Sequence, residues 1–177
     1  MQAEESCYSV LLVSASEKFN ASFLSLLSEG QYSPIRMVGN AGEARRAVSE
    51  TSFDLTVINA PLPDETGILL AEDFCGGSSM GILLLVRTEH YPEVSARASS
   101  FGILTLPKPT SSQMLRQSLT LLCGTRERLR RMERKTASME EKMEEIRLVN
   151  RAKWLLIEQL KMTEQEAHRY IEKQAMD

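Results

Sequence analysis

Four polar residues follow short apolar stretches of this 177-residue chain: Ser14, Asn59, Thr88 and Lys108. Their side chains are two hydroxyls, a carboxamide and an ammonium group, which can form hydrogen bonds or contact an anion. Ser14, its neighbour Ala15 and Asn59 offer no carboxylate, the ligand through which proteins usually bind Mg²⁺. For Lys108, hydrogen bonds to Asn59 or to the backbone are favoured over contact with an anion.

Alternating strands and helices must position these residues. The predicted strands are residues 8–13, 35–38, 55–58, 82–86 and 103–106, which are apolar and rich in β-branched residues. The predicted helices, where apolar residues recur at helical spacing, are residues 17–28, 42–50, 67–74, 92–100 and 111–122. Five such units predict an α/β fold in which a five-stranded parallel sheet is doubly wound, with helices on both faces. Sites in such sheets form at the carboxyl ends of the strands, where the four polar residues lie.

Residues 8–122 also carry motifs at recognisable spacing. In the stretch FDLTVINAPLPDETG, residues 53–67, Pro63 and Gly67 follow Asn59 by four and eight residues, and Lys108 precedes Pro109. In these features the segment resembles a response-regulator receiver domain, a flavodoxin-like fold whose phosphoacceptor aspartate ends strand three. The resemblance implies a receiver fold for this part of the chain.

The same comparison shows which receiver residues are replaced. The acceptor aspartate falls on Asn59, the acidic pair after strand one falls on Ser14 and Ala15, and the aromatic residue of strand five falls on Thr105. The hydroxyl position after strand four falls on either Arg87 or Thr88. The resemblance therefore implies a pseudo-receiver with a degenerate phosphorylation site, formed by Ser14, Ala15, Asn59, Thr88 and Lys108. Such a domain would serve dimerisation or control by a partner.

Composition excludes several classes of protein. The net charge of −3 gives no global basic bias, and the acidic start lacks the apolar stretch of a secretory signal. The longest apolar run, residues 82–86, is too short to cross a bilayer. Three widely spaced cysteines and two histidines fit a reducing compartment and form no zinc pattern. We expect a cytoplasmic protein that is not an enzyme, with no metal, cofactor or membrane partner.

Charge divides the chain into unlike parts. Residues 1–123 have a net charge of −5, whereas residues 124–177 have a net charge of +2 and contain 24 charged residues among 54. The second part contains one glycine, Gly124, and no proline, which is typical of a long helical appendage. We predict a receiver-like domain at 1–123, a coiled-coil stalk at 124–149 and a small all-α tip at 150–177.

A heptad pattern runs along the appendage. Positions 122, 129, 136, 143 and 150 form one series, and positions 125, 132, 139, 146 and 153 form the second. The predicted dimer contacts are Leu129, Met132, Met139, Met143, Ile146 and Asn150. An asparagine in the first series favours two parallel strands, and the register fails at Lys153. The alternative is an amphipathic helix that folds back on the receiver-like domain.

The last 32 residues, 146–177, carry an ordered set of motifs. These motifs are RAK at 151–153, LL at 155–156, TEQEA at 163–167 and AM at 175–176. Their order and spacing are similar to those of the ANTAR domain, the RNA-binding output module of the AmiR and NasR type. Thr163 and Glu166 also form a capping box at the start of a short helix, so two short helices are expected to meet at a tight turn. The family usually has glycine where this chain has Trp154. The family fold continues into a further helix, and we expect that this helix either lies beyond the given sequence or is missing.

The ANTAR resemblance implies a bacterial transcription antitermination regulator. Such proteins dimerise and bind paired hairpins in nascent mRNA, which prevents an overlapping terminator from forming. Some combine an unphosphorylatable receiver with this output and are controlled by a partner, for which a ligand-sensing regulatory protein is a candidate. Because phosphates attract cations, the expected RNA contacts are Lys153, Lys161, Arg169 and Lys173. Trp154 and Tyr170 are expected to be packing residues rather than platforms for bases.

Two alternatives follow from charge. Residues 146–177 hold six basic and five acidic residues, with no evident basic groove, which favours a protein-interaction adaptor that does not bind RNA. Arg126, Arg130 and Arg134 lie at helical spacing on one face and could contact phosphates. A solvated flank of a coiled coil is the favoured interpretation of that basic face.

Overall fold

The computed structural model describes residues 7–28, 30–77 and 79–176, and the chain divides into two compact units, residues 1–129 and 130–177. The first unit contains a five-stranded, wholly parallel sheet in the order β2-β1-β3-β4-β5. Its strands are β1 Tyr8–Val13, β2 Tyr32–Val38, β3 Leu55–Asn59, β4 Gly81–Arg87 and β5 Leu104–Lys108. The predicted α/β class and strand order along the chain are confirmed.

Helices cover both faces of the sheet. They are α1 Glu17–Leu24, α2 Ala41–Glu50, α3 Ile68–Gly77, α4 Tyr91–Ser99 and α5 Ser112–Leu160, and a single 3₁₀ turn, Thr88–His90, precedes α4. Alternate strand residues point to opposite faces, so Leu11 and Val13 join the core beneath α2, α3 and α4. Val10 and Leu12 instead join the core beneath α1 and α5. Both faces are apolar, which is why the strands are continuous hydrophobic runs.

Helix α1 ends earlier than predicted. The sequence pattern continues to residue 28, but the helix ends at Leu24. After it, the amides of Leu26 and Leu27 bond to carbonyls three residues back, and the hydroxyl of Ser25 donates to the carbonyl of Ser22. Serine side chains that bond to nearby backbone compete with helical bonds. Leu26 and Leu27 nevertheless pack against the core, which explains their helix-like spacing.

Helix α5 is longer than any helix predicted from the sequence. It begins after Ser111, whose hydroxyl accepts a hydrogen bond from the amide of Met114, and it continues to Leu160. Gly124 lies inside it, and a Cβ added there would meet nothing within 4 Å beyond the neighbouring residues and the backbone of the helix itself. The prediction of two short helices in the tip is therefore wrong for the first of them, because residues 150–160 continue α5. The proposed boundary at 149–150 falls within this helix.

The second unit contains the end of α5 and one further helix, α6, Glu164–Met176. Between them Lys161 adopts a left-handed backbone conformation with φ of 54°. The predicted capping box is present: the amide of Thr163 donates to Glu166 Oε2 at 2.8 Å, and the amide of Glu166 donates to Thr163 Oγ1 at 3.4 Å. Within the described residues, no helix is both long enough and apolar enough to cross a membrane.

Candidate functional site

The carboxyl edge of the sheet brings three of the predicted residues into contact. Asn59, the last residue of β3, donates from Nδ2 to Ser14 Oγ at 3.0 Å. Lys108, the last residue of β5, donates from Nζ to Asn59 Oδ1 at 2.7 Å and also to the carbonyl of Ala60. Ser14 and Asn59 are buried. The three side chains thus form one hydrogen-bonded row across the ends of β1, β3 and β5.

Lys108 has only neutral partners in this row. Burial, and then repulsion from nearby Arg87, lower the pKa of Lys108 below its ordinary value. A carboxylate beside the ammonium group would have opposed this shift, but within the described part of the chain no hydrogen bond or ion pair joins Ser14, Asn59 or Lys108 to one. These bonds are the arrangement that the favoured interpretation of Lys108 expected.

The other two residues of the predicted site do not contact Asn59. Thr88 donates from its hydroxyl to the carbonyl oxygen of Lys108 at 2.7 Å, so it engages backbone at this edge. Ala15 is exposed and its methyl group offers no polar atom. Arg87 rather than a hydroxyl residue ends β4, in register with Lys108.

The nearest acidic residues in sequence have other roles. Asp64 accepts hydrogen bonds from the backbone amides of Ala41 and Gly42, at 2.9 and 3.0 Å, and these bonds lower the pKa of its carboxyl group. It therefore caps the start of α2 together with Asn40. Glu17 lies in the first turn of α1. Among the residues that the structure describes, no group of three or more His, Cys, Asp or Glu side chains could hold a metal ion.

Solved structures that superimpose on this chain include receiver domains. The signal receiver domain of an HD domain-containing protein from Pseudomonas fluorescens superimposes with a TM-score of 0.64 at 23% identity, covering 74% of this chain and 96% of that domain. The chemotaxis response regulator CheY4 of Vibrio cholerae has a TM-score of 0.57 at 22% identity, covering 66% and 99% of the two chains. The first unit therefore has the receiver fold.

The second unit presents an open apolar groove and exposed cations. The groove has a volume of about 650 Å³ and lies between the end of α5 and α6, lined by Ala152, Leu155, Leu156, Gln159, Leu160, Tyr170, Ile171, Gln174 and Ala175. Ala167 is fully buried in this unit. Helix α6 is thus held against the end of α5 by a small apolar contact and a capped turn.

Residues 137–177 match the model of the ANTAR domain. This ANTAR segment starts well before residue 150, where the sequence-based boundary lies. The chain is also 28% identical over 144 residues to the transcriptional regulatory protein PdtaR of Mycobacterium tuberculosis, covering 80% of this chain and 70% of PdtaR. A receiver fold and an ANTAR domain therefore occur together in one chain.

The structure places the predicted RNA-contact residues on the surface of the ANTAR segment. Lys153 is half-buried on α5, Lys161 is exposed in the turn, and Arg169 and Lys173 are exposed one helical turn apart on α6. Among the described residues, none of these four cations forms an ion pair. They do not form a single cluster of contacts, and their role remains a prediction.

The heptad positions predicted to form the dimer seam are exposed in the single chain. Leu129, at 36% exposure, is the most covered of the apolar ones, and Met132, Met139, Met143 and Ile146 are more than half exposed. Asn150 is also exposed. Most of this apolar stripe is thus uncovered in the described part of the single chain, and a partner for it belongs to the proposals below.

Two residues differ from their sequence-based interpretation. Arg126 is not a solvated flank residue: its Nε lies 3.3 Å from Asp54 Oδ1, its Nη1 donates to Ser79 Oγ at 3.0 Å, and its side chain is 15% exposed. Trp154 was expected to pack, but it is 71% exposed. No local signal revealed Arg126, because Asp54 is 72 residues earlier in the chain.

Proposed function

We propose that this protein is an RNA-binding transcription antitermination regulator of the AmiR and NasR type. It acts in the cytoplasm, and it is a regulator rather than an enzyme. The observation that carries the proposal is the ANTAR match at residues 137–177 in a chain that also has the receiver fold. The similarity to the transcriptional regulator PdtaR supports it. The domains we assign are a pseudo-receiver at 1–123, a coiled-coil stalk at 124–149 and an ANTAR domain at 150–177.

The proposed receiver domain takes up no phosphoryl group. Asn59 occupies the acceptor position, and its amide is held between Ser14 and Lys108. A primary amide is not the anionic oxygen nucleophile that the transfer requires, and Ser14 and Ala15 provide no carboxylate for Mg²⁺. The domain serves dimerisation or docking of a controlling partner, with a ligand-sensing regulatory protein as the candidate.

The proposed dimer forms through α5. The heptad stripe that one chain leaves exposed consists of Leu129, Met132, Met139, Met143 and Ile146. A second copy of the chain would bury this stripe. Asn150 favours a parallel pair, because two asparagines at facing positions can bond to each other. A parallel pair would place two ANTAR segments at the same end of the stalk.

The proposed ligand is RNA with two hairpins in a nascent transcript, each bound by one ANTAR segment of the dimer. The phosphates would be contacted by four cations, Lys153, Lys161, Arg169 and Lys173. None of them has an ion-pair partner in the described part of the chain. Binding would hold the RNA in a form that prevents an overlapping terminator.

The test is light scattering and filter binding on the full chain with an RNA pool that carries two tandem stem–loops with randomised loops. The proposal expects a dimer of about twice 19.9 kDa. It also expects enriched RNAs whose affinity falls as salt rises, because neutralised phosphates release counterions. A monomer, or a dimer that enriches no RNA from the pool, would contradict the proposal.

The second candidate is a protein-interaction adaptor that uses the pseudo-receiver and coiled coil without binding RNA. The balanced charge of residues 146–177, six basic and five acidic, favours it. The open apolar groove of the second unit is also compatible with a protein ligand. A dimer with no affinity for RNA would move the assignment to this candidate.

A further inference from the structure

Trp154 is the single tryptophan of the chain and is the most exposed of its large apolar side chains. It lies on α5 within the ANTAR segment, with 71% of its surface accessible. Tryptophan combines a large apolar ring with a polar N–H, so an exposed one is typical of an interaction surface. Its exposure therefore calls for a ligand.

Two arginines lie beside Trp154, which is not among the residues that line the groove although the adjacent Leu155 is. Arg151 and Arg147 precede it by three and seven residues and so share its face of the helix, together with Glu158 four residues later. Arg151 has no ion pair among the described residues, and Arg147 has only an exposed contact with Glu144 at 3.5 Å. Ala152 and Leu156, which line the groove, lie two positions away and about 160° around the helix.

The proposed dimer seam does not account for this side chain. The last heptad positions before Trp154 hold Asn150 and Lys153, a polar pair that closes the apolar stripe. Trp154 itself belongs to neither heptad series, so the predicted seam does not include the indole. An exposed aromatic ring beside the guanidinium group of Arg151, which has no ion pair among the described residues, instead matches the chemistry of unpaired bases and their phosphates.

We propose that Trp154 stacks on an unpaired base of a hairpin loop, with Arg151 contacting an adjacent phosphate. This inference rests on the proposed function, and it names a base contact at a position where the ANTAR family usually has glycine. Stacking on an aromatic ring contributes roughly ten- to a hundred-fold in affinity per base. A phosphate contact contributes through charge, so it changes the salt dependence of binding.

The lone tryptophan makes the test direct, because all indole fluorescence of the full chain comes from this residue. We expect the emission to be quenched when an RNA enriched from the randomised-loop pool is added. The same RNA annealed to a complementary strand that closes its loops should not quench it.

Variants separate stacking from charge. Trp154→Ala should weaken binding of the labelled RNA at least about ten-fold without changing the salt slope, and Trp154→Phe should recover part of the loss. Arg151→Ala should reduce the salt slope by about one. Leu148→Ala, which removes another exposed apolar side chain of α5, is the control and should bind like the unmodified chain.

Three outcomes would overturn the inference. Unchanged affinity of Trp154→Ala for an RNA that the unmodified chain binds would exclude stacking and leave the proposed function intact. The emission could instead shift to shorter wavelength as the protein concentration rises and not respond to RNA. That result would assign Trp154 to a contact between two copies of the chain. No binding of any RNA by the unmodified chain would overturn both proposals.

Discussion

At the scale of single residues, the row Ser14–Asn59–Lys108 shows how the edge of the sheet holds an amide where the receiver resemblance places an aspartate. The amide of Asn59 uses both of its ends, donating to Ser14 and accepting from Lys108. A carboxylate has no hydrogen to donate to Ser14, so an aspartate would need the hydroxyl to reverse its bond. The three polar groups satisfy one another, which suits a structural role for this buried row.

Restoring the aspartate alone should not restore phosphorylation. Asn59→Asp provides the nucleophile, but Ser14 and Ala15 still supply no carboxylate for Mg²⁺. We expect no mass increase of one phosphoryl group after incubation with acetyl phosphate and Mg²⁺, measured on the intact protein. The triple variant S14D/A15D/N59D is the comparison, since it restores all three acidic positions. Modification of the unmodified chain or of Asn59→Asp would contradict the proposed inertness.

Asp64 should make stability depend on pH in acid. Hydrogen bonds from the amides of Ala41 and Gly42 lower the pKa of its carboxyl group in the folded state. Its contribution is therefore fully present above about pH 4, the ordinary range, and is lost as pH falls through the lowered value. Asp64→Asn should lower the urea midpoint at neutral pH, and the difference should disappear in strong acid. Glu89→Gln, at an exposed position, should change neither the urea midpoint nor its dependence on pH. If Asp64→Asn lowered the midpoint by the same amount at all pH values, titration of Asp64 would be excluded as the cause.

At the scale of elements, helix α5 serves two units. Its first turns pack Leu115, Leu119 and Leu122 against the sheet, and its later residues expose the heptad stripe. Arg126 lies just after the last of these core residues, and its bonds to Asp54 and Ser79 hold this turn against the amino ends of β3 and β4. This turn of α5 is thus anchored by a largely buried ion pair.

Removing Arg126 should destabilise the receiver fold far more than removing a surface arginine. Arg126→Ala removes a largely buried ion pair with the carboxylate of Asp54, whose side chain is 10% exposed, and we expect a loss of about 3 kcal/mol in urea unfolding. Arg36→Ala breaks the exposed pair with Glu50 and should cost less than about 1 kcal/mol. Asp54 Oδ2 also accepts hydrogen bonds from the amide and the hydroxyl of Ser9, each at 3.0 Å. Equal small losses would show that these bonds satisfy the carboxylate without Arg126.

The turn between α5 and α6 should show opposite effects on stability and on RNA binding. Lys161 has a φ of 54°, which costs a residue with a Cβ about 1 kcal/mol that glycine avoids. Lys161→Gly should therefore raise the thermal midpoint of helix loss in circular dichroism while weakening RNA binding through loss of a cation. Lys161→Ala should weaken binding without that gain. Binding by Lys161→Gly equal to that of the unmodified chain would remove Lys161 from the RNA contacts.

At the scale of the whole molecule, the proposed activity depends on two copies of the chain. A dimer through the heptad stripe would bury the apolar residues that one chain leaves exposed, and it would supply one ANTAR segment for each hairpin. Asn150 is the residue that selects a parallel pair in this scheme.

Replacing Asn150 tests that scheme. Asn150→Ile should raise the thermal stability of the dimer and broaden the distribution of oligomers in analytical ultracentrifugation, because the polar residue that specifies two strands is gone. Glu141→Ile, two positions before Met143 and outside the heptad seam, is the control and should leave a dimer. No change in either stability or oligomer distribution would show that Asn150 lies outside the seam.

Much of this molecule follows from local patterns. Continuous apolar runs such as residues 82–86 predict strands buried on both faces, and alternation with helical spacing predicts the parallel sheet that the structure contains. The capping box of Thr163 and Glu166 was predictable because its partners are three residues apart. Such features depend on neighbours in the sequence, so composition and spacing suffice.

Other features depend on residues that are far apart in the chain. Arg126 belongs to a basic run, yet its ion pair with Asp54 exists because the fold brings the start of β3 beside α5. Helix α1 ends at Leu24 although its apolar spacing continues, since local serine bonds compete with helical ones. The exposure of Trp154 likewise depends on which face of α5 meets α6. Periodicity places a side chain on a face of a helix, but tertiary packing decides whether that face is covered.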